Sequence, residues 1–206
     1  MPHHLWDLEN VIGGNYNFIC GVDEVGRGAL CSCIVGAAVI LKPGAKEIGV
    51  KDSKKLSQKK REEIAKILPD YCEFYSIVEM SSEEIDNKGI QYCNKYVLDQ
   101  AARRACENLQ NYICIFDGRP LWKNNDYKYH FEEKADSLCL SVSAASILAK
   151  VYRDNILIEL DKEYPEYGFS ENKGYGTKEH MDAIDQFGII PGVHRISFLE
   201  KFAYKI

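Results

Sequence analysis

The chain has 206 residues, a formal charge of −5, 46% hydrophobic and 28% charged residues. That is the profile of one ordinary soluble domain, not of a disordered, fibrous or membrane-embedded chain. The longest apolar stretch, Cys33 to Leu41, is far too short to span a bilayer, and the N-terminus lacks the charged-then-apolar order of a signal peptide, so a cytoplasmic protein without membrane contact is expected. Net acidity speaks against a protein that is basic overall, although Lys51, Lys54, Lys55, Lys59, Lys60 and Arg61 gather within eleven residues.

The first strand is expected near 17–22 and leads into Asp23-Glu24-Val25-Gly26-Arg27-Gly28. Strand side chains alternate faces, so two adjacent carboxylates meet at one point only if the strand ends there. Gly26 and Gly28 would permit that sharp end, with Arg27 held between them as a forked cation. A second strand follows at 33–41. The basic loop Lys51-Asp52-Ser53-Lys54-Lys55-Leu56-Ser57 then precedes a helix from about Ser57 to Leu68, where Ser and Lys side chains suit backbone phosphates. Cys72 to Met80 reads as a third strand, and Ser81-Ser82-Glu83-Glu84 as a capping box opening a short helix.

A longer helix is expected from Gly89 to Leu109, with Val97, Ala101, Ala105 and Leu109 on one face. Tyr112 to Phe116 is an apolar strand that stops at Asp117-Gly118. Ser141 to Tyr164 reads as one helix opened by small residues, and Thr177 caps a helix that stops at Gly188. In Lys173-Gly174-Tyr175-Gly176-Thr177, a tyrosine between glycines can stack on a sugar or base while Lys173 meets a phosphate. Strands first, then alternating helices and strands, indicate an α/β or α+β layer fold with a mixed sheet.

Eight cysteines include no C-x-x-C pair. Cys31 and Cys33 are one residue apart, and the other six are scattered through apolar segments. Buried free thiols are expected, not disulfides or a zinc site. Carboxylates at strand ends, Asp23, Glu24 and Asp117, would repel one another unless protonated or neutralised by a cation. Oxygen donors of this kind suit Mg²⁺ or Mn²⁺. Asp136 and Asp154 are further candidates, and Asp154, mid-helix, can instead pair with a neighbour one turn away.

These segments resemble the ribonuclease HII family, the bacterial type 2 ribonucleases H. The resemblance lies in GVDEVGRG at 21–28, DSKKLS at 52–57, DG at 117–118, KAD at 134–136 and SAASILAKV at 143–151. It continues with YGF at 167–169, KGYGT at 173–177 and HRISF at 194–198. It implies a single ribonuclease H-like domain over 1–206, core about 17–198, with a central mixed sheet flanked by helices and a small helical C-terminal part. It further implies a monomeric endonuclease that cuts the RNA strand of RNA–DNA hybrids and cleaves 5′ to single ribonucleotides in duplex DNA. Asp23, Glu24, Asp117 and Asp136 would then be the catalytic carboxylates that bind Mg²⁺ or Mn²⁺, a choice of Asp136 over Asp154 that spacing alone leaves open. Gly26, Arg27 and Gly28 would read the 2′-OH, Tyr175 would stack on the neighbouring sugar, and Ser53, Lys54, Lys55 and Lys173 would hold the backbone. The Arg between the glycines is also unlike the type 3 enzymes, which carry Thr there.

The chain departs from the family after Gly28, where Ala29-Leu30-Cys31-Ser32-Cys33 replaces a proline and a Gly-Pro pair. Loss of those prolines is expected to loosen the turn beside the site, and Cys31 and Cys33 there to confer sensitivity to oxidation. After Asp117-Gly118, Arg119-Pro120 stands where the family usually has Asn.

Overall fold

A computed structural model describes residues 7–43, 45, 49–50, 56–123 and 125–200. Its strands are β1 (Phe18–Val25), β2 (Ile34–Leu41), β3 (Cys72–Met80), β4 (Tyr112–Asp117) and β5 (Lys128–Glu132). They form one mixed sheet in the order β3-β2-β1-β4-β5. The β1–β2 and β2–β3 pairs are antiparallel, the second joined through α2, while β1–β4 and β4–β5 are parallel. The α/β expectation is met. The fifth strand, Lys128-Tyr129-His130-Phe131-Glu132, was not anticipated from sequence: it sits at the sheet edge and is partly exposed throughout its inner positions, so it lacks a clean alternation.

The helices are α1 (Asp7–Gly13), α2 (Gln58–Ile67), α3 (Ser82–Lys88), α4 (Ile90–Ala105) and α5 (Leu140–Glu163), followed by α6 (Phe169–Asn172), α7 (Lys178–Phe187) and α8 (Ile196–Leu199). Thr177 caps α7 as expected, Ser57 caps α2, and Ser81 with Glu84 forms the full capping box of α3. The long helix stops at Ala105, short of the expected Leu109, and α1 was not foreseen. No helix among the described residues is long and apolar enough to cross a membrane.

Both faces of β2 are covered, which is why Cys33 to Leu41 reads as a continuous apolar run. Ile34, Ala38 and Ile40 pack with Val97, Leu98 and Ala101 of α4. Val35, Ala37 and Val39 pack on the other face with Ala144, Ile147 and Leu148 of α5. At β1 the approach of α5 is closer still: a Cβ on Gly21 would overlap the backbone of Ser141 and Val142. Any larger residue there would push α5 off the sheet and away from the carboxylates two and three residues on. The C-terminal helices form a third cluster, in which Leu157, Tyr167, Phe169 and Ile184 pack against Leu30 and Cys31.

Candidate active site

The strand end expected near 22 lies further on. β1 continues through Asp23, Glu24 and Val25, which pair with Ala37, Gly36 and Val35 of β2. What ends at Val22 is pairing with the other neighbour: the β1–β4 register runs out at Val22–Phe116. Beyond that point the two parallel strands leave a crevice at their carboxyl ends, the place where open α/β sheets put their sites. Asp23, Glu24 and Asp117 line this cleft of about 370 Å³ together with Gly26, Arg27, Gly28, Arg61, Ser146, Lys150 and Tyr175. A larger cavity, of about 450 Å³, opens near the start of β1 around Tyr16, Lys42 and Glu73 and has no such carboxylate grouping.

Electrostatics in the cleft are unbalanced. Burial, then Glu24 and Asp117, push the Asp23 carboxyl well above its usual range, against a hydrogen bond from Ser146. Burial raises Glu24 to about 7, with Arg27 opposing and Asp117 adding to the rise. Asp23 Oδ1 also accepts from the Glu24 N–H at 2.8 Å, and Asp117 Oδ1 from the Ala135 N–H at 2.7 Å. These oxygens are fixed in place while their charges repel. Hard oxygen donors with excess negative charge are the donor set a divalent Mg²⁺ or Mn²⁺ ion fits.

Asp136 is placed differently. It lies in a short 3₁₀ turn, Ala135–Ser137, is 1% exposed, and is not among the residues lining the cleft. It adjoins the site through Ala135, whose N–H holds Asp117. Asp154 does pair one turn back along its helix, with Lys150 Nζ at 2.6 Å, and Lys173 Nζ lies 3.9 Å from its other oxygen. Lys173 is thus turned to Asp154. Ser53, Lys54 and Lys55 lie outside the described residues. Ser146 and Lys150 were missed as site residues; with Asp154 they stand at four-residue intervals on one face of α5, a spacing visible in the sequence.

The loop after Gly28 is not loose. Arg153 and Arg195, both 0% exposed, hold it from within. Arg153 donates from Nε to the Cys33 carbonyl at 2.9 Å and from Nη2 to that of Cys31 at 3.0 Å. Arg195 donates to the carbonyls of Gly26 at 2.7 Å, Ala29 at 2.8 Å, Ser32 at 2.9 Å and Cys33 at 3.0 Å. These bonds supply the constraint that the absent prolines would otherwise provide. Gly26 has φ of 91°, and a Cβ there would overlap Arg153 Nε, so only glycine fits. Carbonyl and N–H of a trans peptide point oppositely. Drawing the Gly26 and Arg27 carbonyls onto Arg195 therefore turns the N–H groups of Arg27 and Gly28 away from it. Cys31 and Cys33 are buried inside this clamp, and burial pushes the Cys31 thiol up to about 12. Such thiols are poor nucleophiles, contrary to the expected oxidation sensitivity.

Tyr175 reaches the same cleft from the opposite wall, half-exposed, with the Arg153 guanidinium 5.9 Å from its ring centre. The Leu30 N–H donates to the Gly174 carbonyl at 2.7 Å, so the two glycine-flanked segments are stitched together. Behind Tyr175 stands a histidine relay. The Ile190 N–H donates to His194 Nδ1 at 2.9 Å, which leaves the proton on His194 Nε2 to reach His180 Nε2 at 3.2 Å. His180 Nδ1–H then donates to the Tyr175 carbonyl at 2.9 Å.

Known proteins are similar to this chain in sequence and fold. The ribonuclease HII family description matches residues 20–201. The chain is 44% identical over 187 residues to the ribonuclease HII of Clostridium acetobutylicum, covering 88% of this chain and 72% of that one. The ribonuclease H2 of Pyrococcus horikoshii superimposes with a TM-score of 0.75 at 26% identity, covering 91% and 100%. The ribonuclease HII of Archaeoglobus fulgidus, solved in a complex with PCNA, gives 0.73 at 27%, covering 87% and 94%. With the match running from β1 past α8, and with relatives of this identity over most of its length, the chain belongs to the ribonuclease HII family.

Proposed function

We propose that this ribonuclease H is a divalent-metal-dependent endonuclease that hydrolyses the RNA strand of RNA–DNA hybrids. It also cleaves 5′ to single ribonucleotides in duplex DNA, as in ribonucleotide excision repair, and leaves 5′-phosphate and 3′-OH ends. The observation that carries this reading is the sharing of one cleft by Asp23, Glu24 and Asp117 with Arg27, Gly28 and Tyr175. Asp23, Glu24 and Asp117 would hold Mg²⁺ or Mn²⁺, with Asp136 completing the set as the family resemblance implies. When bound, such ions supply an activated water and charge stabilisation at the phosphodiester.

The chain's own residues account for selection. The N–H groups of Arg27 and Gly28, oriented through Arg195, can donate to a 2′-OH, the group that separates RNA from DNA at one position. Tyr175 offers a ring to the adjacent sugar. Arg61 and Lys150 place cations beside the carboxylates for the flanking phosphates, and Ser53, Lys54 and Lys55 would extend that backbone contact. In this reading the protein acts as a cytoplasmic monomer on its nucleic-acid partner.

The test is a DNA duplex with one embedded ribonucleotide, incubated with and without Mg²⁺ or Mn²⁺ beside a long RNA–DNA hybrid. Metal-dependent cutting 5′ to the ribonucleotide is expected. Cutting of the long hybrid alone would leave the carboxylates their role and remove the junction reading.

A further inference from the structure

Three of the scattered cysteines converge in the fold. Cys20 of β1 and Cys114 of β4 are register partners in the parallel ladder, so their side chains leave the sheet on the same face. Cys106 ends α4 directly against them. The three sulfur atoms lie within 4.8 Å of one another, and the residues are at most 2% exposed. They sit on the α4 face, among Val97, Ala101 and Ala105, and none lines the carboxylate cleft.

The surroundings select the ligand. A dry apolar wall penalises any complex that keeps a net charge. Zn²⁺ on three thiolates is anionic and requires a fourth ligand. Cu⁺ on three thiolates carries still more negative charge. A trivalent thiophilic centre with three thiolates is neutral and satisfied by three ligands. We propose that Cys20, Cys106 and Cys114 form a binding site for trivalent arsenic, taken up as arsenous acid.

The exchange balances without any redox step. Each As–O bond is replaced by an As–S bond, and each departing hydroxide takes one proton and leaves as water. That proton comes from the thiol where sulfur is protonated and from solvent where it is not. Hydrogen bonding to Cys106 and Cys114, with burial, keeps the Cys20 thiol protonated, and burial does the same for Cys114. Cys106, the residue that closes α4, is the first sulfur an entering ligand meets. Cys106 also stands at the outlet, because Glu107 and Asn108 beyond it are exposed and opening of this helix end admits the ligand. Once bound, arsenic ties β1, β4 and α4 together as a cross-link does.

The experiment uses the whole protein, kept reduced with a phosphine, and sodium arsenite as the probe. Gel filtration followed by elemental analysis should find one arsenic per chain. Native mass spectrometry should show the gain of one arsenic less three hydrogens. After denaturation and alkylation, Cys20, Cys106 and Cys114 should be protected and the other five cysteines labelled. At about a hundred times Kd the melting temperature should rise by roughly 5–10 °C. Cys106→Ala should abolish retention and Cys72→Ala should not. Failure to retain arsenic, protection of other cysteines, or undiminished retention by Cys106→Ala overturns the proposal. So does tighter binding of Zn²⁺ or Cu⁺ at these sulfurs. Because the protection pattern is read on the unaltered chain, the result does not depend on any variant folding.

Discussion

Arg195 and Gly26 stand 169 residues apart in the chain, yet Arg195 Nη1 donates to the Gly26 carbonyl at 2.7 Å. The guanidinium is fully buried and bonds backbone carbonyls of the loop. Burial, then Arg153, lowers its pKa to about 10, so it stays cationic at neutral pH. Arg195→Lys keeps the charge and loses the planar fork, orphaning several buried acceptors at once. The expected loss is about 3 kcal/mol, or roughly 6–12 °C in thermal melts. In surviving folded protein, cutting at single ribonucleotides should fall more than cutting of long hybrids, because the Arg27 and Gly28 peptides lose their orientation. An equal fall for both substrates would detach the loop from 2′-OH selection.

Asp117→Asn should trade activity for stability. Asp23 and Glu24 have native pKa values raised above their unfolded ones. Between about pH 4 and 7 the native state therefore binds more protons than the unfolded chain, and stability falls as pH rises through that window. Removing the Asp117 charge relieves both neighbours, and Asn can still accept from the Ala135 N–H. The metal-free variant should melt about 2–4 °C higher at pH 7, equivalent to about 1 kcal/mol. Cleavage should fall about a thousandfold as metal stabilisation is lost. Calorimetry and a single-turnover assay on the same preparation read both effects, and wild-type turnover would refute the assignment.

Asp136 and Asp154 are separated by metal titration. Asp136 adjoins the turn that holds Asp117, whereas Asp154 is committed to Lys150 and Lys173. Asp136→Asn should weaken Mn²⁺ binding about tenfold or more, the scale seen when groups around a metal site are altered. Asp154→Asn should leave binding within about twofold, since the Asp154 carboxylate is taken up by Lys150 and Lys173. Reversed outcomes would exchange the two roles.

The histidine relay predicts a pH dependence of stability. Burial, then His180, lowers His194 to about 4, and burial lowers His180. Below the unfolded value of about 6.5 the unfolded chain takes up a proton that the native relay refuses. Stability contributed by neutral His194 is thus complete above pH 6.5 and lost as pH falls toward 4, by roughly 3 kcal/mol at most. Urea melts from pH 7 to 4.5, read as the difference between the unaltered chain and His194→Gln so that the opposite slope of Asp23 and Glu24 cancels, should show that loss. An unchanged slope would remove His194 as its source.

Apart from α1 and β5, the order of elements was legible because local physics produces it. A run of β-formers buried on both faces, a Ser-x-x-Glu capping box and a glycine stop each act over a few residues. The carboxylates Asp23, Glu24 and Asp117 were legible for the same reason, as acids abutting apolar strands. Tertiary structure alone decided what lies between distant segments. The end of the β1–β4 register opens the cleft, Arg153 and Arg195 replace absent prolines from 120 and more residues away, and three unpatterned cysteines meet across two strands and a helix. A guanidinium that bonds to carbonyls leaves no mark at the residues it holds, because every backbone offers the same acceptor. The sequence by itself determined which chemistry the chain carries, and only packing decided which atoms hold that chemistry in place.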